Sequence, residues 1–198
     1  MSGPLSRAKS LLEAVDKNAR KLRRLTILMH DHPDPDAMAS AWALAVIVQH
    51  RTKVKPRIAY GGAVGRRENL VMLESLFVPA APLRAGELDG RALALVDTQP
   101  SFKNNRFPKR RRPDLVIDHH PRHAQTKADY VHIDESVGAT STILVEALIA
   151  SGARIPARLA TALVYGIASE TQNLGREAGA RDRAAYLALL PKANLKLL

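Results

Sequence analysis

The chain has 198 residues and no cysteine, which excludes disulfides and thiolate metal sites and fits a reducing cytoplasm. Apolar residues make up 46% and aromatics 4%, so a core of Ala, Leu, Val and Ile can form, and no apolar run reaches the roughly 18–20 residues of a membrane span. Thirty Lys and Arg against 19 Asp and Glu give a formal charge of +11, a surface suited to nucleotides, nucleic acid or polyphosphate, or simply a set of solvated basic faces.

In chain order, Leu5, Ala8, Leu11, Leu12, Val15 and Leu22 recur at helical spacing and predict a basic amphipathic helix over 5–24. The segment lacks the apolar stretch of a secretory signal. "LTILM" at 25–29 reads as a strand buried on both faces. An Ala-rich helix is expected over 36–51, then a strand "VKPRIAY" ended by Gly61 and Gly62, and a helix over 66–77. "RALALVD" (91–97) and "DLVID" (114–118) read as further buried strands, each ending in Asp, and "YVHID" (130–134) as another. Helices are expected in "GATSTILVEALIASG", stopped by Gly152, in "IPARLATALVYGIASET", with Pro156 near its first turn, and over about 181–190. Strands alternating with helices predict an α/β fold, a mainly parallel sheet with helices on both faces.

Three of these strands run out into ionisable residues: "LTILMHDHPDPD", "ALALVDTQ" and "DLVIDHHP". In a parallel sheet such ends lie along one edge, where ligands bind. His30, Asp34, Asp36, Asp97, Asp118, His119 and His120 are therefore expected to converge. Taken singly, Asp36 could be a helix N-cap, and any one histidine a hydrogen-bonded core or surface residue. Together, carboxylates crowded at low dielectric call for cations. Oxygen and imidazole donors without thiolate suit Mn²⁺, Mg²⁺, Zn²⁺ or Fe²⁺, and a shared carboxylate is what a pair of ions roughly 3.5–4 Å apart requires.

At "DHH" (118–120) the sequence resembles the DHH phosphoesterase superfamily, with its nanoRNase-like and RecJ-like branches. The likeness runs from about residue 20 to 178 in four ordered motifs: "HDHPDPDAMAS", "VDTQP", "VIDHHP" and "YGIASETQNLGRE". "GATSTILVEAL" resembles the family's Gly-Ala-Thr/Ser helix start. The resemblance implies metal ligands at His30, Asp34, Asp36, Asp97 and His119, with Asp97 bridging two ions. It puts His120 toward the substrate phosphate and Asp118 behind the histidines as an orienting group, so that Asp97, Asp118, His119 and His120 form the catalytic set. Glu170 stands where the family has a metal-binding Asp, and Thr171 matches. His32 has no counterpart among the ligands and is expected to be exposed. Two Mn²⁺ ions are implied, with Mg²⁺ as a substitute.

The implied function is metal-dependent hydrolysis of phosphodiester or phosphomonoester bonds in short oligonucleotides or small nucleotides. A truncated or non-catalytic nucleotide- or metal-binding module is the alternative, and an exopolyphosphatase or pyrophosphatase the second. Arg66 and Arg67 open a helix after a strand end and are candidate substrate contacts. Arg110 to Arg112 are expected at the opposite sheet edge, in a solvated loop. The domain reading is an N-terminal helix over 1–20 and a DHH domain over 21–198. The family's C-terminal substrate domain is absent from it, so a homo-oligomer or a partner is expected to supply the lid.

Overall fold

The computed structural model describes residues 4–197; residues 1–3 of the expected N-terminal segment lie outside them. Six strands make one parallel sheet in the order β3-β2-β1-β4-β5-β6. They are β1 (Leu25–Leu28), β2 (Arg57–Tyr60), β3 (Ala80–Pro82), β4 (Ala92–Val96), β5 (Leu115–Asp118) and β6 (Tyr130–Ile133). The helices are α1 (Pro4–Lys17), α2 (Pro35–Thr52), α3 (Arg67–Ser75), α4 (Thr140–Ser151), α5 (Ala157–Glu170) and α6 (Ala180–Leu189). None is long and apolar enough to cross a membrane among the described residues.

Side chains alternate across the sheet, as a two-residue repeat demands. Leu25, Ile27, Ala94, Val96, Leu115 and Ile117 join the helices in the main core. Leu28, Leu93, Leu95 and Val116 point the other way, into a smaller cluster with Leu88, Phe107 and Ala128. Among the described residues, no helical residue belongs to that second cluster. The parallel α/β architecture therefore stands, but the helices lie on one face rather than both. The physical reason is local: the β4–β5 and β5–β6 connections carry Pro100, Pro108, Pro113 and Pro121, which remove backbone donors and break helical phasing. Irregular chain covers the second face instead.

α2 is enclosed almost all round, with Ala37, Ala39, Ala41 and Ala43 inaccessible, and small side chains let α4 and α5 approach it closely. Gly166 marks the tightest point. A Cβ there would stand 3.1 Å from the Pro35 carbonyl and 2.9 Å from Ser141 Oγ, so this contact fixes the α5 turn that carries Glu170.

α1 buries Ala8, Leu11, Leu12 and Val15, the i, i+3, i+4, i+7 stripe. It is shorter than the expected 5–24, because Asn18 turns its side chain back onto the Ala14 carbonyl at 2.8 Å and the chain continues as a 3₁₀ turn, Lys21–Arg24. β3 was not expected. It has three residues at a sheet edge, ends on Pro82, and carries no periodic signal.

At the other edge, β6 buries His132, whose Nε2 has no hydrogen-bond partner among the described residues. Burial pushes its pKa down to about 4, with Arg7 and Arg181 adding to the effect against the pull of Asp134. Above pH 6.5 the ring is neutral in both folded and unfolded chains and its contribution to stability is complete. Between pH 6.5 and 4 the unfolded chain binds the proton and the folded one does not, so stability falls with pH. Urea unfolding across this window is expected to show a loss of about 3 kcal/mol that His132→Asn does not share. Parallel curves for the two proteins would contradict the assignment.

Candidate metal centre

β1, β4 and β5 are neighbours in the sheet, so their carboxyl ends bring three chain segments to one edge. His30 follows β1. Its Nδ1 donates to the Asp31 carbonyl at 2.9 Å, which directs Nε2 to Asp34 Oδ2 at 3.5 Å and Asp97 Oδ2 at 3.7 Å. Asp34 is the N-cap of α2, its Oδ1 accepting the Ala37 N–H at 2.9 Å. One carboxylate oxygen thus builds the helix start and the other faces His30.

Asp97 follows β4 in the left-handed region, φ 58°, uncommon for a non-glycine and worth about 1–3 kcal/mol of strain. Its N–H donates to the Ile117 carbonyl at 3.0 Å and Thr140 Oγ1 donates to its Oδ1 at 2.8 Å, so the conformation is held from both sides. Oδ1 also stands 3.7 Å from His119 Nε2 and 3.8 Å from His120 Nδ1. Asp97 is therefore common to two groups with metal-ligand geometry: Asp97, His119 and His120, and His30, Asp34 and Asp97.

Asp118 is fully buried and collects donors. The His119 and His120 N–H groups and His120 Nδ1 all reach its Oδ1, at 2.9, 3.3 and 2.9 Å, and Gln99 Nε2 reaches Oδ2 at 2.8 Å. The Asp118 hydrogen bond, with the nearby Asp97 charge and against burial, pushes the His120 pKa up to about 9. For His30, burial opposes the charge, but the Asp34 and Asp97 carboxylates outweigh it and raise the pKa to about 9. Burial, then the charges of Asp36, Asp34 and Asp118, drive the Asp97 carboxyl well above the usual carboxylate range.

A profile described as the DHH family, N-terminal domain, matches residues 24–167. The chain belongs to the DHH family. An uncharacterized protein of Methanocaldococcus jannaschii is 36% identical over 92% of this DHH chain and 40% of its own length. A probable manganese-dependent inorganic pyrophosphatase of Staphylococcus aureus is 30% identical over 73% of this chain and 47% of its own. The chain thus spans less than half the length of these two relatives. Two solved structures share the fold. A putative family II inorganic pyrophosphatase of Methanococcus jannaschii superposes with a TM-score of 0.67 at 20% identity, covering 86% of this chain and 57% of that one. An exopolyphosphatase-related protein of Bacteroides fragilis gives 0.75 at 15% identity, covering 95% and 58%.

The DHH chain's donor set suits a divalent cation. His119 Nε2 is buried with no hydrogen-bond partner among the described residues, while facing Asp97 at 3.7 Å and Glu170 Oε1 at 3.9 Å. An imidazole nitrogen beside two carboxylates, without a proton partner, has the chemistry of a ligand.

The other expected residues divide. Asp36 stands outside both ligand groups. Its oxygens accept the first two N–H groups of α4, from Ser141 and Thr140, each at 2.8 Å, with Ser40 Oγ at 3.3 Å. It locks α2 to α4; Oδ1 takes both Ser141 N–H and Ser40 Oγ, and Oδ2, with the Thr140 N–H alone, keeps a second lone pair. Glu170 also lies outside both groups, at the end of α5, and burial followed by the Asp36 and Asp34 charges raises its pKa.

Arg66 lines a hollow of about 460 Å³ with His30, His32, Asp34, Asn69 and Glu170. Arg67 does not. It lies with Glu68, Val71 and Tyr165, because Arg66 is the extended N-cap (φ −98°, ψ 143°) and Arg67 the first residue wound into α3; Arg66 alone of the pair lines this hollow. His32 is exposed as expected, yet it belongs to the same hollow, its Nδ1 2.7 Å from the Ala63 carbonyl. Gly62, at φ 69°, makes room for it; a Cβ would stand 2.5 Å from the ring.

Gln99 and Thr140 had no assigned role in sequence. The motif "VDTQP" contains the first, and the Gly-Ala-Thr/Ser helix start contains the second, but their partners are far away in the chain. Arg111 bonds the Leu88 carbonyl at 2.6 Å and the Arg91 carbonyl, beside the amino end of β4, and Arg112 bonds the Ala128 carbonyl just before β6. Both sit at the edge opposite the carboxylates.

Proposed function

We propose that this DHH domain is a divalent-metal-dependent phosphohydrolase acting on phosphodiester or phosphomonoester bonds of short oligonucleotides or small nucleotides. The observation that carries the reading is Asp97, one buried carboxylate shared by two ligand groups. His30, Asp34 and Asp97 would hold one ion, Asp97 and His119 the other, with Asp36, through the free lone pair of Oδ2, and Glu170 as further ligands. Mn²⁺ is the proposed ion, two per chain, with Mg²⁺ a substitute. When bound, the ions supply Lewis-acid neutralisation of phosphoryl charge and lower the pKa of water.

The chain's own residues do the positioning. Asp118 holds His120 through Nδ1, which leaves Nε2 to carry a proton toward a phosphoryl or leaving oxygen. Arg66 adds a fixed positive charge beside the hollow at His30. The His120 side chain is 41% exposed and that of Asp34 38%, so the edge is open, and we propose that a further segment or a partner, including a second copy of the chain, closes it. We place the activity in the cytoplasm.

The S. aureus relatives named as pyrophosphatases favour a second reading, hydrolysis of pyrophosphate or polyphosphate. The position of Glu170 outside both ligand groups favours a third, metal binding without turnover. Protein stripped with chelator and reloaded with Mn²⁺ is expected to cleave bis(p-nitrophenyl) phosphate and a short oligonucleotide. Phosphate release from pyrophosphate alone would select the second reading, and Mn²⁺ binding with no cleavage of any of the three would select the third.

A further inference from the structure

A cavity of about 710 Å³ lies away from the carboxylate edge, in the irregular cover of the helix-free sheet face. Its walls are the β4–β5 and β5–β6 connections. Pro100, Phe102 and Phe107 give it an apolar side, and Lys103, Lys109 and Lys127 a cationic one. Among the described residues, no acidic one lines it. Arg111 and Arg112 also face it, but the Arg111 guanidinium is taken by the Leu88 and Arg91 carbonyls and that of Arg112 by the Ala128 carbonyl and the Asp129 carboxylate at 3.1 Å. The three lysines are exposed and make no ion pair or hydrogen bond with the described residues.

The cavity is joined to the carboxylate edge. Phe102 packs its ring edge-on to His120, centroids 6.2 Å apart and planes at 85°. Beneath them Gln99, fully buried, donates to Asp118 and to the Pro121 carbonyl at 3.1 Å and accepts from the His123 N–H and Thr126 Oγ1 at 2.9 and 2.7 Å. One amide thus fastens both cavity walls to the residue that orients His120. On the other side of the histidines, a hollow of about 520 Å³ is lined by Glu135, Glu170 and Glu177. Charge is therefore divided about His120, with carboxylates on one side and lysines on the other. A polyanion reaching the edge is repelled from the first and drawn to the second.

We propose that this cavity is a second binding site, for the part of a single-stranded oligonucleotide that lies beyond the bond at the carboxylate edge. Lys103, Lys109 and Lys127 take its phosphates and the Phe102 ring stacks on a base. The inference rests on the phosphohydrolase reading and deepens it. The choice of oligonucleotide over polyphosphate comes from the apolar wall: a base has a face to offer Phe102 and Pro100, and a bare phosphate chain does not. The volume falls within the range of nucleotide-sized ligand pockets, roughly 300–1,000 Å³.

The test is fluorescence anisotropy of a labelled short oligoadenylate in EDTA, where binding is read without turnover. The Lys103→Glu, Lys109→Glu, Lys127→Glu triple variant is expected to bind at least about tenfold more weakly. Its log K against log salt slope should be shallower by about 2, the loss of three single-strand phosphate contacts. Phe102→Leu, which keeps apolar bulk but loses the aromatic face, is expected to cost roughly fivefold or more. Unchanged affinity in the triple variant would overturn the site. Displacement by polyphosphate together with an unaffected Phe102→Leu would assign the cavity to a base-free polyanion and overturn the ligand. Mn²⁺-dependent cleavage of bis(p-nitrophenyl) phosphate by the unaltered protein is measured alongside; its failure removes the phosphohydrolase reading and leaves the EDTA binding result standing or falling by itself.

Discussion

Asp97→Asn is expected to abolish Mn²⁺-dependent hydrolysis while making the metal-free protein more stable. The two effects have one cause. Asp97 is 3% exposed and stands among the charges of Asp36, Asp34 and Asp118, so its own ionisation is unfavourable until a cation arrives. The amide keeps an oxygen to accept the Thr140 hydroxyl, which removes the charge without emptying the space. Relief of a buried, poorly compensated charge is expected to be worth about 1–4 kcal/mol, and each kcal/mol raises the Tm of a chain this size by about 2–4 °C. Mn²⁺ should raise the Tm of the unaltered protein by mass action and leave that of the variant where it is. The activity loss should exceed the roughly 10–100-fold typical of outer-sphere metal-site partners, because this carboxylate belongs to both ligand groups. Differential scanning fluorimetry with and without Mn²⁺, beside the chromogenic assay, decides it; a variant that keeps the full Mn²⁺ shift would rule out Asp97 as a shared ligand.

What the sequence made legible was the sheet edge. Apolar runs ending in Asp or His identified β1, β4 and β5, and a parallel sheet with these three adjacent brings His30, Asp97 and the Asp118–His120 run together without further information. The exceptions share a physical character: each depends on a partner distant in the chain. Asp36 reads as one more acid in an acidic run, but its oxygens turn to the α4 N-terminus 104 and 105 residues later. Gln99 looks like an ordinary polar residue, yet it ties two loops through partners 19 to 27 residues away. The one-sided placement of helices follows from prolines in the crossovers, a signal present in sequence but outweighed there by the general habit of parallel sheets to be covered by helices on both faces. Arg66 and Arg67 are alike in composition and neighbours in sequence, and the change from extended backbone at the N-cap to the first turn of α3 separates them.

Asp118→Ala is the second large effect. The carboxylate lies wholly inside and is the acceptor for four donors, so alanine strands two backbone N–H groups, the Gln99 amide and the His120 ring together. Unfolding stability is expected to fall by about 3–5 kcal/mol, the range for removing one partner of a buried charged network. Asp118→Asn keeps the oxygen that serves the two N–H groups and His120, and sets only its amide nitrogen against the Gln99 amide; its loss should be smaller, about 1–3 kcal/mol. Activity should fall in both, more steeply in the alanine variant. A purely structural role would stop at stability. Positioning of His120 adds a readout that stability does not move: imidazole titration by NMR in metal-free protein. In the unaltered chain His120 titrates near 9, held up first by the Asp118 hydrogen bond. Alanine removes that support and the midpoint should drop toward the ordinary histidine value of about 6.5. The folded pKa lying above the unfolded one means that His120 stabilises the fold below pH 6.5 and ceases to do so as pH rises through 9, so the unaltered chain should lose this increment across that interval and the alanine variant should not. If His120 kept its titration midpoint without Asp118, the geometry of the pair would have to be explained by something other than the hydrogen bond between them.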